Sequence, residues 1–194
     1  MRIFLAGASG VIGQRLAPML VKAGHTVAGT TRSAEKAELL RGLGCEPVVI
    51  DVYDAQALHV AVVDFAPDLV MHQLTDLPDD PSQIPARAKA NARIREEGTA
   101  NLIAAGQAAG ADRFLAQSIA WTPAAGNESR EALESQVLAY EGVGVVLRYG
   151  QFYGPGTYHE AEPPDPPRIE IGAAACATLS NLEAPTGIVE IVDN

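Results

Sequence analysis

Apolar positions along this chain alternate between two periods. Short apolar runs, each closed by a turn residue, are followed by longer stretches in which apolar residues recur every three or four positions. Arg2–Ala6 (RIFLA) is a short run ending at a glycine and predicts a buried strand. Val11–Ala23 has helical spacing (Val11, Ile12, Leu16, Leu20, Val21) and is stopped by Gly24. The same reading gives strands at His25–Gly29, Pro47–Ile50 and Asp68–His72, and helices at Ala34–Leu43 and Ala55–Phe65. Leu77–Pro85 is a proline-rich loop, and Ala86–Ala109 is predicted as one long helix. Strands follow at Arg113–Gln117 and Val143–Arg148 around a helix at Ser129–Tyr140. Tyr158–Arg168, with four prolines, reads as a mobile loop. A helix at Ile171–Leu182 and a short strand at Gly187–Val192 end the pattern. Strands alternating with helices predict an α/β fold of the Rossmann type: one doubly wound domain with a parallel sheet of about six or seven strands.

Composition narrows the class. The chain has 194 residues, 47% hydrophobic and 20% charged, which suits one globular domain. A net charge of −10 with no basic stretch makes nucleic acid and anionic membrane poor partners. No apolar run is long enough to span a bilayer, and the N-terminus does not read as a signal peptide. Cys45 and Cys176 are expected to be buried free thiols in a reducing cytoplasm. Histidine and cysteine form no ligand cluster, so no metal is expected.

The candidate chemistry begins at GASGVIG, which lies between a predicted strand and a predicted helix. Gly7 permits the tight turn, Gly10 lets backbone approach a pyrophosphate, and Gly13 lets helix and strand pack closely. Free N–H groups and the helix dipole favour the phosphate charge. Ser9, Val11 and Ile12 complete this loop.

The G-x-x-G-x-x-G spacing resembles the short-chain dehydrogenase/reductase superfamily, in its extended and atypical branch, the NAD-dependent epimerase/dehydratase family. The likeness runs from Met1 to about Thr157. It includes IDVYD, LVMHQL, REEGTANLIAAGQAAGADRFL, QSIAW and LRYGQFYGPG. It implies a nicotinamide dinucleotide held across the carboxyl ends of the strands, with residues 1–157 as core and 158–194 as a reduced substrate region. The second strand ends in GTTRS rather than an acidic residue. Thr31 and Arg32 therefore favour NADP, with NAD as the alternative, although Arg32 could equally be a solvated surface residue. Asp51 and Val52 match the adenine-contacting pair, Asp51 being alternatively a helix N-cap.

The resemblance breaks at the catalytic group. Ser118 fits the serine that orients a carbonyl, or else caps a loop. The family's tyrosine acid and the lysine four residues later are missing: Gly126 takes the tyrosine place and Arg130 the lysine place, where Arg130 could bind a ribose hydroxyl or phosphate. Ser129 and Glu134 fall in register, and Arg95 replaces an asparagine, with Asn91 one turn earlier. As substitute proton carriers the sequence offers Tyr153, grouped with Tyr149 and Tyr158 near the sixth strand's end, and His72. Packing roles for the tyrosines and a pocket-lining role for His72 remain open, and Trp121 reads as a pocket wall. The expected function is an atypical NADP(H)-binding oxidoreductase or epimerase/isomerase-like enzyme acting on a carbonyl or hydroxyl carbon of a small molecule. A non-catalytic dinucleotide sensor and a cofactor-independent dehydratase or isomerase are the alternatives. An oligomer is left open.

Overall fold

The computed structural model describes residues 1–123 and 127–193. Seven strands form one sheet: β1 (Arg2–Ala6), β2 (Thr26–Thr31), β3 (Glu46–Val49), β4 (Leu69–His72), β5 (Arg113–Ile119), β6 (Val143–Tyr149) and β9 (Gly187–Ile191). Their order is β3-β2-β1-β4-β5-β6-β9, and every pairing is parallel. The chain winds outward from β1 in one direction, then returns to β4 and winds in the other. This is the doubly wound topology, with its crevice between β1 and β4.

Both sheet faces are covered, which explains why the strands read as near-continuous apolar runs. On one face Ile3, Leu5, Met71, Leu115 and Leu147 pack beneath α1 (Gly13–Lys22), α2 (Ala37–Gly42) and α7 (Ile171–Ser180). On the other Phe4, Ala6, Val70, Phe114 and Val146 pack beneath α3 (Ala55–Phe65), α5 (Thr99–Ala108) and α6 (Asn127–Leu138). Cys45 is buried as expected, but Cys176 is exposed. Its neighbours Ala174, Ala175 and Thr178 carry the inward face of α7, which leaves residue 176 outside.

The predicted helix over 86–109 is three pieces. α4 (Ile84–Arg93) leads into a π-helical turn (Ile94–Gly98) and then α5. At Gly98 an added Cβ would lie 3.1 Å from Ile94 Cδ1 and 3.5 Å from Val52. The chain is thus packed tightly where the winding changes. Such a turn carries an extra residue and re-aims the side chains around it. Two short strands, β7 (Gln151–Tyr153) and β8 (Arg168–Glu170), pair in parallel as a separate ladder that the apolar pattern does not reveal. Between them residues 154–167 form no helix or strand. Among the described residues no helix is long and apolar enough to cross a membrane.

Candidate functional site

The glycine loop joins β1 to α1 at the topological crevice. Gly7 has φ +94°, and a Cβ there would meet the Gln73 carbonyl at 2.5 Å. Gly13 is equally confined, since its Cβ would fall 2.2 Å from the Gly7 carbonyl. Gly10 differs: a Cβ there would meet only that same carbonyl, at 3.3 Å. Ile12 at the start of α1 makes no side-chain cap. An uncapped helix start beneath an open glycine fits a phosphate, because its backbone N–H groups have no competing side-chain acceptor.

The end of β2 is stitched to this loop. Gly7 N–H donates to Thr30 Oγ1 (3.1 Å), and Ser9 Oγ donates to Thr31 Oγ1 (3.3 Å). Arg32 is 60% exposed, with its guanidinium 3.7 Å from Asp76. Arg87 holds Asp76 more tightly, at 2.6 Å. Thus two arginines flank one carboxylate where the second strand leaves the sheet. Asp51 accepts from Tyr53 N–H (3.0 Å) in a local turn and is not a helix cap. Asp54 caps α3 instead, accepting from Ala57 N–H. Val52 is buried, and its carbonyl accepts from Asn101 (3.0 Å).

A second polar cluster lies at the carboxyl ends of β5 and β6. Ser118 and Arg148 are register partners across these strands. Both meet Glu134 of α6. Ser118 Oγ donates to Glu134 Oε1 (2.6 Å), and Arg148 grips both oxygens, Nε to Oε1 at 2.9 Å and Nη2 to Oε2 at 2.6 Å. Arg130, one turn earlier on α6, stands 3.6 Å from Oε1. Burial pushes the Glu134 carboxyl upward, but hydrogen bonds from Arg148 and Ser118 and the charges of Arg148 and Arg130 hold it below its ordinary range. The Glu134–Arg148 pair was not singled out in the sequence. Its available signal was an arginine interrupting the apolar run of β6.

The other candidates lie apart. His72 ends β4, in register with Ala6, and is fully buried. Its Nδ1 accepts from Leu74 N–H (3.2 Å), while Nε2 has no hydrogen-bond partner among the described residues. Burial lowers its pKa to about 4, so the ring is neutral at physiological pH. The three tyrosines do not converge. Tyr153 donates to Asp193 (2.8 Å), Tyr149 shares a buried hydrogen bond with Thr178 (2.6 Å), and Tyr158 donates to the Pro78 carbonyl. Bonding to the Asp193 carboxylate also raises the Tyr153 pKa. The loop after Tyr153 lies against the glycine loop's helix, since Arg15 donates to both the Val11 and Pro155 carbonyls. Asn91 accepts from Asp76 N–H (3.2 Å), and Glu170 caps α7. Gly126 lies outside the described residues. A cavity of about 590 Å³ lined by Val48, Asp54, Val60 and Asp64 sits at the β3 edge, remote in sequence and sheet order from Ser118.

An all-parallel doubly wound sheet with an uncapped glycine loop at its crevice defines a dinucleotide-binding class of α/β protein. The chain belongs to the NAD-dependent epimerase/dehydratase family, whose model matches residues 3–140. It is 38% identical over 183 residues to 3-diazoavenalumate denitrifying reductase of a Streptomyces species; the match covers 81% of this chain and 58% of that protein. The chain therefore spans less than two thirds of that relative's length. Among solved structures, UDP-glucose 4-epimerase of Thermus thermophilus in complex with NAD superposes with a TM-score of 0.82 at 20% identity, over 99% of this chain and 78% of that one. UDP-glucose 4-epimerase of Thermotoga maritima with UDP-glucose gives 0.81 at 15% identity, over 99% and 77%.

Proposed function

We propose that the chain is an NADP(H)-dependent reductase of a small molecule, with residues 1–157 as nucleotide-binding core and 158–194 as a reduced substrate region. The open glycine loop at the uncapped start of α1 carries the reading. Gly7, Ser9, Gly10, Val11, Ile12 and Gly13 would hold the pyrophosphate. Thr31 and Arg32 would take the adenosine 2′-phosphate, Asp51 and Val52 the adenine, and Arg130 the nicotinamide ribose. The bound nicotinamide supplies or takes a hydride.

The protein's own side chains then set which substrates suit the site. Reduction at a carbonyl carbon also needs a proton for the oxygen. Ser118 would orient that oxygen, but its own hydroxyl is engaged by Glu134. Tyr153 is held by Asp193, and His72 is buried and neutral. Ordinary carbonyl chemistry therefore lacks general acid assistance, typically about 10²–10⁴-fold. The name of the Streptomyces relative favours a second substrate class. A diazo-bearing carbon that loses nitrogen on reduction leaves no oxyanion to protonate, so this class would tolerate the loss of the tyrosine.

The test is NADPH oxidation across a panel of ketones, sugar nucleotides and an arenediazonium carboxylate. Expected are weak or absent turnover on the carbonyl compounds and faster turnover on the diazonium. Residual carbonyl turnover should fall in Ser118→Ala and stay level in Tyr153→Phe and His72→Gln. Vigorous carbonyl turnover indifferent to all three changes would overturn the reading. Tight nucleotide binding without turnover on any compound would favour a dinucleotide sensor.

A further inference from the structure

The loop between β7 and β8 leaves its ladder at Tyr153 and returns at Arg168, and the pairing of the two strands brings those ends together. Loops closed in this way pack on themselves and are frequently functional. The first part of this one, residues 154–160, is braced from within. Gly154 N–H donates to the His159 carbonyl (3.0 Å), Thr157 Oγ1 to the Gly154 carbonyl (2.8 Å), and Gly156 N–H to Glu160 Oε1 (2.6 Å).

Two outside contacts fix where this segment lies. On one lip of the crevice, Arg15 in the first turn of α1 donates to the Pro155 carbonyl. Beside it, a Cβ on Gly156 would stand 3.8 Å from Val11 Cγ2 of the glycine loop. On the other lip, the Tyr158 hydroxyl donates to the Pro78 carbonyl, in the loop that follows β4. The lips themselves close on each other at Gly7 and Gln73. The segment is thus a strap from the β1 side of the crevice to the β4 side. Only Gly156 and Thr157 lie between its two anchors. Three peptide steps reach at most about 11 Å, so the strap has no slack under which a dinucleotide could pass.

We infer that residues 154–160 are a gate, and that the Tyr158–Pro78 contact must open for a dinucleotide to enter or leave the crevice. The inference rests on the reading of that crevice as the nucleotide site. The latch joins two neutral groups, and among the described residues no hydrogen bond of the strap uses an N–H of the glycine loop. The strap therefore does not compete with a phosphate for those donors. It sets the rate of exchange and leaves the affinity alone, as a lid does when local opening limits passage.

Tyr158→Phe removes only the latching hydroxyl. Tyr158 is 40% exposed, so the variant should melt with the parent. Stopped-flow mixing of the full chain with NADPH should show association and dissociation both about three- to tenfold faster, the effect of one lost hydrogen bond, with Kd unchanged. Hydrogen exchange without nucleotide should quicken by a similar factor in the peptide 154–160 and keep the parent's rate in β1 and β4. Parental association and dissociation rates would overturn the inference, as would unchanged exchange at 154–160. Faster dissociation alone, with weakened affinity, would also overturn it and make Tyr158 a binding contact. Absence of NADPH binding in both proteins would remove the nucleotide site and the gate together, whereas binding at unaltered rates would remove the gate alone.

Discussion

At the scale of single residues, cofactor choice rests on Arg32. Its guanidinium is largely exposed and only loosely drawn to Asp76, which Arg87 already neutralises at 2.6 Å. A phosphate arriving there meets a cation that need not break a strong pair. The contact is charge-assisted and worth roughly 1.5–3 kcal/mol, or about ten- to a hundredfold in affinity. NADP(H) is therefore expected to bind more tightly than NAD(H). Arg32→Ala should erase the difference and leave NAD(H) affinity little changed. Fluorescence titration of both nucleotides against both proteins checks this; equal affinities in the parent would remove the argument. Arg32 could be singled out in the sequence because it stands where an acidic residue would otherwise close the second strand. Its neighbours Asp76 and Arg87 could not, since two helices and two strands (α2, β3, α3 and β4) separate them from it in the chain and only the fold brings them together.

At the scale of elements, the glycine loop separates folding from binding. Gly13 has no room for a Cβ against the Gly7 carbonyl, so Gly13→Ala must displace backbone and should destabilise the domain. Gly10 meets that carbonyl at 3.3 Å and is otherwise free. Gly10→Val should therefore leave a folded protein whose β-branched side chain obstructs the approaching pyrophosphate. Circular dichroism melts and NADPH titration on the two variants distinguish these outcomes. Unchanged nucleotide affinity in a folded Gly10→Val protein would place the ligand elsewhere. Period and turn residues were enough to read this loop and the strand–helix alternation, because each rests on local sequence. The π-helical turn was not legible, since the apolar spacing of 86–109 is compatible with an unbroken helix. The turn lies where Gly98 comes close to Val52, a long-range approach that local spacing does not encode. The β7–β8 ladder escaped for the same reason: three-residue strands, joined through a proline-rich loop, leave too little periodic signal. The tyrosine cluster failed differently. Sequence placed Tyr149, Tyr153 and Tyr158 at one end of β6, but their hydroxyls find partners in α7, the C-terminal segment and the loop after β4.

At the scale of the whole molecule, the buried polar groups make stability depend on pH in a definite direction. His72 has a pKa of about 4 when folded, because burial penalises the charged ring, against 6.5 for the free side chain. The unfolded chain therefore binds more protons between those values, and stability must fall as the pH drops from 6.5 towards about 4. Integrated over that window, His72 alone is worth about 3 kcal/mol of lost stability at the acid end. His25, beside the N-terminal ammonium, is shifted the same way and adds to the slope. Glu134 acts later. Its carboxyl is held below 4.5, so its contribution is complete above that pH and fades only as the pH falls further. Two successive losses are expected on acidification, a histidine phase and then a carboxylate phase. Urea unfolding across this range should show the first phase strongly reduced in His72→Gln and retained in Glu134→Gln. The carboxylate variant should instead be destabilised already at neutral pH, by about 3–5 kcal/mol, because Arg148 and Arg130 lose their shared partner. A His72→Gln protein with the parent's full loss between pH 6.5 and about 4 would show that His72 does not govern the first phase.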